Sequence, residues 1–189
     1  MTTAEFGYTR WGRDFLRLAE PTRISRPEPL LPRARSLARH AVTDVQVEDR
    51  LLRGTLVRGG EASVAYLEFA PLPREIACGV AERTGVHPAP AALTDAVHDT
   101  LAAHPPELAV ADCSCRARTE RCVHVLALLY ETARRVDEDP RLALSLRGFA
   151  AAVDQDAPST EVPRWIPLTA LDPAAFRAFP GAPPQSTGG

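Results

Sequence analysis

Three cysteines and a histidine lie close together in this chain: Cys113, Cys115, Cys122 and His124, in the stretch DCSCRARTERCVH that leads into an apolar run. Thiolate sulfur and imidazole nitrogen together form a tetrahedral donor set that suits zinc. Four protein donors leave no coordination position for water or substrate. The pattern therefore predicts one structural zinc ion and no catalytic metal.

The spacing, CxC then six residues then CxH, is tighter than the CxxC pairs of common ribbons and fingers. Residues i and i+2 of an extended strand share a face, so Cys113 and Cys115 reach one ion if the chain bends just after them. The residues from Arg116 to Arg121 are long enough to turn back. On a regular helix i and i+2 do not share a face, which puts Cys122 at the helix cap and His124 in the first turn. There the positive end of the helix favours thiolate. Buried core thiols, a core histidine beside Val123 and Val125, or a disulfide are the competing readings. Against the disulfide, the start MTTAEFGYTRWGRDF carries no apolar signal region, so a reducing cytoplasm is the expected compartment.

A chain of 189 residues with 45% hydrophobic and 24% charged residues can bury a self-sufficient core, so zinc need not carry the whole fold. No run is long enough to span a bilayer. All 22 basic residues are Arg. Without Lys there is no Walker A loop and no Schiff-base amine, and neither GxSxG nor HExxH occurs, so a non-catalytic role is expected.

The polar and apolar pattern predicts an α+β fold. Trp11, Phe15 and Leu18 recur at helical spacing despite Gly12, and residues 20–36, with four prolines, read as an irregular connection. Strands are expected around Val42 to Val47, Leu52 to Val57 and Val64 to Phe69, the last two joined by a Gly59–Gly60 hairpin turn in an antiparallel meander. Helices are expected over 73–83 and 90–103, with Cys78 as a core thiol. His87, His98 and His104 read as exposed or structural. Residues 108–113 read as a strand entering the metal site and 123–136 as a helix buried on the sheet. Asp137, Glu138 and Asp139 read as a solvated helix end. Past Gly148 seven prolines argue against regular packing, although Trp165, Phe176 and Phe179 suggest an arm for the body or a partner, with 181–189 disordered. The expected organisation is an N-terminal segment, 1–40; a body, 41–148, holding the metal motif at about 108–136; and a Pro-rich arm, 149–189.

CxC, a short gap and CxH entering an apolar helix resemble the SWIM zinc finger, a module of bacterial Swi/Snf-type ATPases and MuDR transposases. ELAVADCSC, CVHVLALLYETARRVDEDPRLALSLRG and the early FGYTRWGRDFLRLAE are similar to segments of the small actinobacterial SWIM proteins. The gap lacks the acidic and aromatic residues usual in that family, and Val123 stands where a basic residue is common. The resemblance implies nucleic-acid binding, or service as an accessory subunit of a DNA-associated machine, with a Swi/Snf-type helicase as a candidate protein partner. Neither a membrane nor a small-molecule substrate is implied.

Charge gives this modest support. Residues 1–60 hold 11 Arg against 7 acidic residues, a net +4, while the remainder holds 11 against 17, a net -6. Arg116, Arg118 and Arg121 in the metal loop, with Arg10, Arg13 and Trp11 near the N-terminus, are the candidate phosphate, base or partner contacts. The same loop arginines could instead hydrogen-bond the zinc-thiolate centre. A pI near 6.2 is unlike that of a strong autonomous DNA binder. The alternative is a protein-protein adaptor in which zinc is purely structural.

Overall fold

The computed structural model describes residues 5–21, 28–117 and 121–154. Helices α1 (Arg10–Ala19) and α2 (Leu31–His40) precede strands β1 (Val42–Glu48), β2 (Leu51–Arg58) and β3 (Glu61–Phe69). Then follow α3 (Arg74–Thr84), α4 (Asp95–Leu101), β4 (Leu108–Cys113), α5 (Val123–Glu138), α6 (Arg141–Ser145) and α7 (Phe149–Val153). The fold is α+β, and the four strands form one antiparallel sheet in the order β1-β2-β3-β4.

The β2–β3 hairpin turns at Gly59 (φ 59°) and Gly60 (φ 84°), and two consecutive positive φ values are what a two-residue primed turn requires. The register runs unbroken from Leu51↔Glu68 to Arg58↔Glu61. Alternation then sends Leu52 and Leu56 of β2, and Ala65, Leu67 and Phe69 of β3, to one face, each 2% exposed or less.

Helix α5 lies on that face. A helix on a sheet usually has one solvated side, yet every residue from Val125 to Ala133 is buried, because α1 and α2 pack on its other side. The apolar stripe therefore describes only half of its contacts. Trp11, Phe15, Ala34 and Leu37 share the core with Leu126 and Leu129, so α1 and α2 belong to the same core as the sheet.

Three elements differ from the pattern read in the sequence. Leu31–His40 is helical, since Pro32 sits in the first turn, where the missing N–H costs nothing, and Ala34, Leu37 and Ala38 face the core. Residues 90–103 are interrupted: Pro90–Ala92 form a 3-10 turn and α4 starts only at Asp95, although Leu93, Val97 and Leu101 are all buried as expected. Beyond Gly148, α7 buries Phe149 and Ala152. The expectations for 155–189, including Trp165, Phe176 and Phe179, lie outside the described residues.

The solvated end predicted for α5 is also different. Asp137 is buried and accepts N–H groups from Gly7 at 2.6 Å, Tyr8 at 3.2 Å and Thr9 at 2.8 Å, together with the Thr9 hydroxyl at 2.7 Å. The Thr9 hydroxyl in turn accepts the Gly12 N–H as the α1 cap. One carboxylate thus holds the start of α1 against the end of α5. Gly12 is the point of closest approach, where a Cβ would meet Asp137 Oδ1 at 2.1 Å and the Ala133 carbonyl at 2.8 Å.

Candidate metal centre

Strand β4 delivers Cys113 at its last residue, and Ser114 extends the pairing by one more position. The Ser114 N–H donates to the Val64 carbonyl at 2.9 Å, and its hydroxyl accepts the Val64 N–H at 2.9 Å. This side-chain substitute for a ladder bond holds the CxC segment to β3 while the chain leaves the sheet. Cys115 follows in the bend and Cys122 is the N-cap of α5, its sulfur accepting the Val125 N–H at 3.4 Å. His124 lies in the first turn. The cap and first-turn positions are those that the spacing predicts.

The ligand atoms of Cys113, Cys115, Cys122 and His124 all lie within 4.8 Å of one another. Cys113 Sγ is 3.8 Å from His124 Nδ1. Tetrahedral donors about 2.3 Å from a metal are themselves about 3.8 Å apart, so the cluster is of a size to close on one ion. Backbone N–H groups are already aimed at the sulfurs: Cys115 at Cys113, Ala117 at Cys115, and His124 and Val125 at Cys122. Such donors stabilise thiolate.

As a free thiol, Cys113 is pushed up to about 12 by burial, and burial raises Cys122 as well. Burial opposes ionisation of Cys115 too, but the Ala117 N–H and the neighbouring Cys122 and Cys113 thiols outweigh it, and its value falls. His124 is lowered, first by burial and then by the positive charges of Arg33 and Arg58, so its imidazole is kept in the neutral form that binds metal. A cation here displaces thiol protons, and its binding is coupled to pH. All four cysteines are free, and Cys78, half-buried in α3, is not in the cluster.

The tentative contact residues separate into two groups. Trp11 is 6% exposed and packs edge-on against His98 with ring centroids 5.1 Å apart, so it offers no face to a base. Arg121 donates to the carbonyls of Leu18 at 3.1 Å and Ala19 at 2.9 Å, tying the metal loop to the last turn of α1. Arg10 is exposed but ion-paired with Asp99. Arg13 and Arg116 are exposed, and Arg118 lies outside the described residues.

Two arginines with no local sequence signal, Arg33 at the start of α2 and Arg58 at the end of β2, project their charge onto His124. Both are exposed. No protein-family model, curated protein or solved structure matches the chain. Fold and site together define an α+β protein with one Cys3His cluster that can hold a metal ion. No helix among the described residues is long and apolar enough to cross a membrane.

Proposed function

We propose that the chain is a SWIM-type module in which one zinc ion fastens the end of β4 to the start of α5, and that it serves as a non-catalytic nucleic-acid-binding or accessory subunit of a DNA-associated machine. Bound zinc would supply cross-linking only, because three sulfurs and one imidazole complete its shell. The observation that carries the reading is the rim of the centre. Arg33, Arg58 and Arg116 are exposed there, and none has a hydrogen-bonded carboxylate among the described residues. Guanidinium groups around a fixed point suit phosphate. The contact surface is thus assigned to this rim, and Trp11 and Arg121 are left to the fold. Titration of duplex and single-stranded DNA at rising salt tests it, and negligible binding at low salt rejects it.

A protein-docking reading has its own support. The sheet face opposite α5 carries Leu51, Val64 and Tyr66, half-buried, with Val57 49% and Val110 50% exposed. A partner such as a Swi/Snf-type helicase could cover it. Charge substitution at Val57 and Val110 separates the readings, since it would abolish protein capture and leave DNA binding unchanged.

A further inference from the structure

Among the described residues four buried side-chain nitrogens have no hydrogen-bond partner, and three of them, Trp11 Nε1, His98 Nδ1 and Arg147 Nε, belong to residues that line one small cavity. The cavity measures about 20 Å³ and lies between α1, α4 and the end of α6. That is room for one water-sized body. Arg147 is 6% exposed, and its backbone is tied on both sides, by the Leu72 N–H to its carbonyl at 2.8 Å and by its own N–H to the Leu144 carbonyl at 3.1 Å.

Buried cations in proteins are nearly always paired. Yet no carboxylate lies within ion-pair distance of Arg147 among the described residues; Asp14 and Glu107 act on it only at longer range. Burial accordingly pushes the guanidinium below its ordinary value.

We propose that this cavity binds a single monoatomic anion of chloride or bromide size, held by the N–H groups of Trp11 and Arg147. An indole N–H and a guanidinium N–H can only donate. A water molecule would meet both donors but leave the guanidinium with only the longer-range charges of Asp14 and Glu107, whereas a halide answers the donors and places a counter-charge in contact. His98 supplies the third wall. Its Nε2 lies 2.8 Å from Asp14 Oδ2, and its Nδ1 is the unpartnered ring nitrogen. The charged and titratable groups facing the ring are Asp14 on α1, Arg147 after α6 and His104 between α4 and β4, with the Arg10–Asp99 pair beside them.

The test uses the full chain with bromide as the probe. Crystals grown in sodium bromide, measured at the bromine absorption edge, should show an anomalous peak within hydrogen-bond reach of Trp11 Nε1. In solution, sodium bromide should raise Tm above sodium gluconate of equal ionic strength, and the rise should saturate. Arg147→Met should abolish that rise. Because that variant can fail to fold, Trp11→Phe, which keeps an aromatic ring and removes the N–H, should weaken bromide binding about tenfold. A cavity filled by water with no anomalous peak, or unaltered bromide dependence in Trp11→Phe, would overturn the proposal.

Discussion

The carboxylate of Asp137, in the last turn of α5, accepts the backbone N–H of Gly7 at 2.6 Å. This bond and its companions to Tyr8 and Thr9 join the segment that leads into α1 to the helix that starts at the metal cluster. With Arg121 gripping the far end of α1, that helix is fastened to α5 and its approach at both ends. Asp137→Asn replaces an acceptor by an amide whose N–H groups face other donors, and should cost about 3 kcal/mol in urea unfolding. Gly12→Ala should be destabilising by about 2 kcal/mol, despite the better helix propensity of Ala, because its methyl would be driven into Asp137 and Ala133. A neutral or stabilising Gly12→Ala would contradict this packing.

Glu131 is 4% exposed and bonded to Arg134 and Arg135. Burial alone would raise its carboxyl, but the two guanidinium groups prevail and hold it below its ordinary value of 4.5. A carboxyl depressed in the folded state adds stability above the unfolded value, and that stability is lost as pH falls through the folded value. Glu131→Gln should therefore trail the wild type by about 1 kcal/mol at neutral pH, since both arginines are partly exposed and screened. The two should converge below pH 4.5. A constant gap across the acid limb in paired unfolding curves would exclude the linkage.

Arg33, Arg58 and Arg116 are the residues to alter in a nucleic-acid assay. Replacing all three by Gln should leave Tm nearly unchanged, because each is exposed. The slope of log K against log salt on duplex DNA should fall by about three. An unchanged slope would remove this rim from the interface.

Chelation should act locally first. The core of α1, α2, α5 and the sheet is continuous without the metal, so most helical signal should survive. Stability should drop by about 4 kcal/mol for an ion present at a thousandfold excess over its Kd. Amide exchange should rise most at Ser114 and Cys115 and in the first turn of α5. Global unfolding on chelation would mean that the core is not self-sufficient.

Much of this was legible in the sequence where one local rule governs. The hairpin follows from alternation around Gly59–Gly60, and the ligand placement from the two-residue spacing of strand and cap. Helix α2 was hidden because LPRARSLARH shows a proline and four charged or ionisable side chains, while its core contacts are three small or medium apolar residues. Asp137 reads as surface beside Glu138 and Asp139, since its partners come from the opposite end of the chain. Arg33 and Arg58 approach His124 from two other elements, an arrangement that only tertiary packing creates. Trp11, by contrast, followed the ordinary rule that aromatics at helical spacing are core.

The central claim is that Cys113, Cys115, Cys122 and His124 hold one zinc ion. Metal analysis of the purified full chain by mass spectrometry tests it most directly. The account predicts close to one zinc per chain, lost in Cys115→Ser and in His124→Ala. A metal-free wild type, or a zinc content unaffected by both substitutions, would contradict it.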